Sequence, residues 1–132
     1  MASISLKLVT TFGAIYAVRI IFLVATLFSQ DAFLSYTNDV LIFKLCFTVS
    51  RVTCLFLCTW AAWQAPRLAA WFAFGACVMF SFGGAGDQIY THGFSGFGNL
   101  LPTYYWTVCI HGAFALIVWL IARKVRPASV YG

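Results

Sequence analysis

The chain has 132 residues, of which only three are acidic, and one of the three, Asp87, lies next to a long apolar run. It sits in Gly-Gly-Ala-Gly-Asp-Gln-Ile-Tyr-Thr-His-Gly-Phe-Ser-Gly-Phe-Gly, positions 83–98, together with His92, one of two histidines. The other, His111, lies inside a later apolar run, and Arg19 and Arg51 sit in the middle of two earlier ones. A carboxylate paired with a buried cation in a water-poor site can orient a water molecule and take its proton. A nearby His111, Tyr16 or Tyr104 can give a proton to a developing alkoxide. That combination suits the opening of an epoxide, or a proton-driven cyclisation or isomerisation of an apolar substrate. Cys109 is two residues from His111, a spacing that does not bring side chains together on a helix. The sequence shows no serine elbow, phosphate loop or zinc motif.

These groups have to be positioned by elements made almost entirely of hydrocarbon. Hydrophobic residues make up 63% of the chain and charged residues 8%, against roughly 25% charged in soluble domains. The composition predicts an all-α polytopic membrane protein, a bundle of four transmembrane helices in a single domain, since the length has room for about four spans of ~20 residues. The spans are expected at about 6–28, 40–64, 68–90 and 102–122. Ser29-Gln30-Asp31 ends the first, and Ala65-Pro66-Arg67 is a tight turn because proline cannot continue a helix. Pro102 suits the first turn of the fourth, and Arg123-Lys124-Val125-Arg126-Pro127 stops it. The first apolar run is longer than a signal-peptide core and contains Arg19, so no cleaved leader is expected. No internal repeat is visible.

With four spans, both termini and the Arg67 turn share one side. That side carries Lys7, Arg67, Arg123, Lys124 and Arg126, and the opposite side carries Asp31, Asp39, Asp87 and His92, with Lys44 just inside the second span. The positive-inside rule then places both termini in the cytoplasm, with the endoplasmic reticulum as the expected membrane. Tyr105 and Trp106, with Tyr104, fall at the outer interface, and Trp60, Trp63, Trp71 and Trp119 toward the inner one. At 1.5 Å per residue, Arg19, Arg51 and His111 all lie near the midplane, and Asp87 about one turn from the outer end of the third span. A charge at the midplane costs at least ~2.5–3.5 kcal/mol, so these groups are expected to face one interior, with Asp87 as counter-ion to Arg19 or Arg51. Helical spacing agrees: Tyr16, Arg19 and Thr26 share a face of the first span, Lys44, Thr48 and Arg51 of the second, and Tyr104, Thr107 and His111 of the fourth. The expected site is Asp87, His111, Arg51, Arg19 and Tyr104 as catalytic groups, with Tyr16, Lys44, Thr107 and Tyr90 contacting substrate.

Simpler roles are available for several of these residues. Arg19 and Arg51 can be structural cations bonded to carbonyls, His111 an interhelical donor, and Gly75, Gly83, Gly84 and Gly86 points of close helix packing. Cys46, Cys54, Cys58, Cys77 and Cys109 all fall in apolar runs, where free thiols behave as small hydrophobes. Cys54 and Cys58 are one turn apart but have no histidine at ligand spacing, so no metal and no cofactor is expected. The cations are scattered and form no basic face, which argues against nucleic acid as a partner. The expected partners are the bilayer, a lipophilic small molecule and other enzymes of the same pathway. Three function classes remain: an enzyme on a lipophilic substrate, a non-catalytic accessory protein binding a lipid or an enzyme, and a small carrier. A carrier usually shows inverted repeats.

The layout resembles the DoxX-like group of small four-helix membrane proteins. Arg51 at midspan of the second helix, Gly86-Asp87 at the end of the third, and His111 followed by Gly112-Ala113 carry the resemblance, over most of the chain from Leu8 to Ala122. Within that group it looks most like the short membrane proteins of fungal polyketide gene clusters. Some of these are epoxide hydrolases acting on polyene pyrones of the aurovertin and citreoviridin type. The resemblance implies a role in secondary metabolism, with epoxide opening by Asp87 and His111.

The charge asymmetry gives a direct test of orientation. A tag on either terminus is expected to be accessible only from the cytoplasm, and a glycan acceptor placed near Asn99 to be modified in endoplasmic-reticulum membranes. An externally accessible terminus would invert the arrangement.

Overall fold

The computed structural model describes residues 2–31, 37–92 and 102–125, leaving out the side chains of 87, 88, 90–92 and 103. It consists of four long helices, α1 (Ala2–Ser29), α2 (Asn38–Gln64), α3 (Pro66–His92) and α4 (Pro102–Ala122). All four contain a stretch long and apolar enough to cross a membrane, so the chain is a multi-pass integral membrane protein. The expected spans are found within a few residues. The first and third are longer than their apolar cores, beginning at Ala2 and ending at His92.

Local chemistry accounts for the helix ends. Asp31 follows α1 with φ 55°, and its N–H donates to the Phe28 carbonyl, 3.2 Å away. A left-handed residue just past the last turn is a common way to satisfy the free carbonyls there. Asp39 lies in the first turn of α2, where a negative charge is favourable. Ala65 alone separates α2 from α3, and Pro66 and Pro102 each open a helix, where the missing N–H has no intrahelical partner to lose. The helix α3 continues through Gly83, Gly84 and Gly86. These are poor helix formers in water. In hydrocarbon, an unbonded backbone costs far more than a low propensity, so the helix persists.

The helices pack as a ring in chain order: α1 on α2, α2 on α3, α3 on α4, and α4 back on α1, with α1 and α3 barely touching across the diagonal. The core is built from small residues. Ala61, Ala62, Ala69, Ala73, Ala115 and Ala122 surround Leu6, Cys58 and Val118 at the end nearer the termini, and Ala17, Ala76, Ile20 and Leu55 form a second cluster. Helices in lipid gain nothing from hiding hydrocarbon from hydrocarbon, so close approach across small residues supplies the contact energy. Thr59 adds a bond between helices, its hydroxyl donating to the Thr10 carbonyl at 2.8 Å.

The inward face of α1 is set by this small-residue rule. Leu6, Thr10, Gly13, Ala17 and Ile20 are buried, spaced four, three, four and three apart. A Cβ on Gly13 would lie 2.7 Å from the Phe114 ring of α4. That ridge leaves Arg19 and Thr26 exposed and only Tyr16 partly buried. The expectation that Arg19 points into the interior is therefore corrected: the close-packing ridge outweighs the polar residues in choosing the face.

Two glycines should respond oppositely to the same change. A Cβ at Gly84 would run into the Tyr104 ring, whereas at Gly112 it would meet nothing within 4 Å. Gly84→Ala is expected to destabilise the bundle by about 1–3 kcal/mol as an overpacking change. Gly112→Ala should be neutral or add up to about 1 kcal/mol through helix propensity. Unfolding in detergent would separate the two, and equal effects would contradict the packing described.

Candidate functional site

The polar groups of the half of the bundle away from the termini gather around one aromatic ring that carries no charge itself, Phe80 of α3. The Arg51 guanidinium carbon lies 4.8 Å from the Phe80 ring centroid. The His111 ring stacks on Phe80 at 4.9 Å with an interplanar angle of 4°. Tyr104 stacks on it at 5.8 Å and 24°. Tyr16 meets His111 edge to face at 5.6 Å. Four helices thus each contribute to one cluster, and a cation over a ring face is held by the ring quadrupole, most strongly where water is excluded.

His111 is 4% exposed. Its Nδ1 lies 2.8 Å from the Thr107 carbonyl oxygen. A carbonyl can only accept, so Nδ1 carries the proton, and in the neutral ring Nε2 carries the free lone pair. Among the described residues neither His111 Nε2 nor Arg51 Nε has a hydrogen-bond partner, although both atoms are buried. Buried polar atoms are bonded in the large majority of cases, and an exception calls for a reason. Two such exceptions contact the same ring.

A cleft of about 250 Å³ lies beside the cluster, lined by Lys44, Thr48 and Arg51 of α2, by Val24 of α1, and by Phe80 and Gly83 of α3, among others. The predicted face of α2 is thus assembled as expected. His111, Thr107 and Tyr104 share the inward side of α4, but His111 touches Phe80 and does not line the cleft. The Tyr104 hydroxyl donates to the Ser81 carbonyl at 2.6 Å, which commits its proton to a backbone acceptor. Arg19 is exposed and does not join the cluster. The side chains of Asp87 and Tyr90, and that of His92, lie outside the described residues. Asp87 stands on α3 seven residues beyond Phe80, two turns further along the same helix face and about 10 Å toward the C-terminal end of that helix.

Sequence reasoning missed Phe80 and Ser81. Phe80 is one of 14 phenylalanines, and nothing local marks it. Its one signal is register: Ala76, Phe80, Gly83, Gly84 and Asp87 recur at the three- and four-residue spacings of one helix face. The cysteines are free, with Cys58 buried and its thiol donating to the Ala69 carbonyl at 3.2 Å. Comparison of the chain with family models, with curated proteins and with solved structures finds no match.

The cluster predicts that Phe80 matters for stability beyond its volume. Phe80→Leu keeps much of the apolar bulk but removes the ring face from both Arg51 and His111. A loss of about 1–2 kcal/mol is expected from the ring–ring and cation–ring terms together. A variant of unchanged unfolding midpoint would show that the ring holds neither group.

Proposed function

We propose that the chain is a membrane enzyme that opens an epoxide on a lipophilic substrate, with Arg51, His111 and Asp87 as its working groups. The observation that carries this reading is the pair of buried, unpartnered nitrogens, Arg51 Nε and His111 Nε2, on one aromatic ring, with Arg51 also lining the cleft. The resemblance to the DoxX-like epoxide hydrolases of fungal polyketide clusters supports it, through Arg51, Gly86-Asp87 and His111-Gly112-Ala113. So does the default reading of an ionisable residue at membrane depth as functional. The endoplasmic reticulum, with both termini cytoplasmic, is the proposed setting, and enzymes of the same pathway are the proposed partners.

In this mechanism Asp87 takes a proton from water as the water oxygen attacks one epoxide carbon. The carbon–oxygen bond breaks, and the departing oxygen, held by the Arg51 guanidinium, takes the proton that Asp87 removed from the water, relayed through Nε2 of His111. The product is a vicinal diol, and Asp87 and His111 end as they began. The Arg51 guanidinium stabilises the negative oxygen as it forms, the point at which a fixed charge helps most. Thr107 holds the imidazole through Nδ1–H, so Nε2 is the atom that moves the proton. Tyr104, its hydroxyl engaged by Ser81, orients Phe80 and leaves the acid role to His111. Arg19 has no part, because it faces outward.

The cleft favours a second reading. At about 250 Å³ it falls below the ~300–1,000 Å³ of ordinary ligand pockets, so it admits an epoxide and its flanking carbons rather than a whole polyene. A non-catalytic accessory protein binding a lipid or a pathway enzyme needs no larger cavity. Turnover decides between the two. Asp87→Asn, His111→Ala and Arg51→Gln are each expected to lower the hydrolysis of a lipophilic epoxide by 10²–10⁴-fold, the usual effect of losing a positioned proton-transfer group. The assay uses microsomes containing normal amounts of folded protein. Near-wild-type rates in both Asp87→Asn and His111→Ala would sink the enzyme reading and leave the accessory role.

A further inference from the structure

A cavity larger than the cleft lies at the opposite end from the polar cluster. A groove of about 870 Å³ runs between α3 and α4. Its walls are apolar, with Trp71, Phe74, Leu116 and Trp119, and its mouth carries Arg67, Arg123 and Lys124. The Arg123 guanidinium lies 5.1 Å from the Trp119 ring centroid, which keeps one of these charges at the mouth. No acid lines the groove. Asp31 precedes α2 and Asp39 opens it, while Asp87 stands near the far end of α3, so all three acids belong to the other end of the bundle.

The dimensions point to one kind of occupant. From Lys124 back to Gly112, the innermost α4 residue of the groove, is 12 residues, or about 18 Å of helix. Half of a ~30 Å hydrocarbon core is about 15 Å. The groove is therefore one leaflet long, apolar along its length and cationic only where a headgroup would lie. Any phospholipid could lay a chain against the walls. Three cations at the mouth select for a headgroup with net negative charge, and each basic residue near the surface strengthens binding several-fold. At Gly112 the groove is open, since a Cβ there would meet nothing within 4 Å.

We propose that this groove is a binding site for an anionic phospholipid, with one acyl chain between α3 and α4 and the phosphate on Arg67, Arg123 and Lys124. The site is independent of the chemistry at Phe80 and of the orientation of the chain in its membrane. It is tested with the full chain reconstituted in vesicles, using quenching of tryptophan fluorescence by chain-brominated lipid. Brominated phosphatidylglycerol doped into phosphatidylcholine is compared with brominated phosphatidylcholine doped into phosphatidylglycerol. Phosphatidylglycerol should be preferred by about tenfold or more, from three cations acting together. The excess quenching should vanish when Trp71 and Trp119 are both changed to Phe, because those are the tryptophans that line the groove. The triple change Arg67→Gln, Arg123→Gln and Lys124→Gln should bring the preference near unity. Gly112→Leu fills open space and should abolish the excess with the cations intact. A wild-type preference near unity overturns the proposal. A preference that survives Gly112→Leu also overturns it, because the charges would then be acting on the membrane surface and not at a groove.

Discussion

Inside a bilayer no water is available to satisfy a polar atom, so every donor and acceptor at that depth must find its partner within the protein. The helices meet this constraint for the backbone, and it explains why α3 runs unbroken through three glycines that would loosen it in water. Several hydroxyls of the described residues meet it locally. Thr10, Thr11, Thr26, Ser50 and Ser81 donate back to carbonyls three or four residues earlier. Against that background the unpartnered Arg51 Nε and His111 Nε2 stand apart. Both are kept in place by the face of Phe80, a contact that steadies a cation or an imidazole without using up its hydrogen-bonding capacity.

Packing places the cluster where it is. The end of the bundle near the termini is filled by alanines, Leu6, Cys58 and Val118, and the helices approach closely there. Toward the other end the interior holds larger rings, and Phe43, Phe47 and Tyr104 fit where α3 presents glycine to them: Gly83 lies against Phe47, Gly84 against Tyr104 and Gly86 against Phe43. The glycines beside Asp87 thus have a packing role in their own right. They also leave a cleft next to Lys44, Thr48 and Arg51, because bulky rings do not interlock as alanines do. One feature of the sequence serves both the structural and the chemical reading.

Charge divides the molecule along the membrane normal. Lys7, Arg67, Arg123 and Lys124 lie at the end of the termini and the three acids at the other, with Lys44 on the acids' side and Arg19 and Arg51 between them. A cavity lies toward each end. The groove between α3 and α4 is cationic at its mouth and apolar along its length. The cleft at the other end is lined by Lys44, Thr48 and Arg51 among apolar residues. Arg19 fits neither. It lies exposed on α1, about 15 Å from the end of that helix, where its long stem can run along the apolar surface toward the headgroups.

Composition and spacing by themselves determined the class of the protein, the four spans, the two proline-opened helices and the shared faces Lys44-Thr48-Arg51 and Tyr104-Thr107-His111. These follow from the thickness of the bilayer, from the geometry of one helix and from the missing proline N–H, none of which needs a second helix to be known. Which way α1 faces, and therefore the fate of Arg19, was not legible. A ridge of Leu6, Thr10, Gly13, Ala17 and Ile20 competes with the polar stripe, and only the approach of Phe114 decides between them. Phe80 was likewise hidden among many phenylalanines, since its importance comes from what two other helices, α2 and α4, bring against it. Helical periodicity fixes angles within a helix, but the rotation of each helix about its axis is set by the fit between neighbours, and that fit exists only once the bundle has formed.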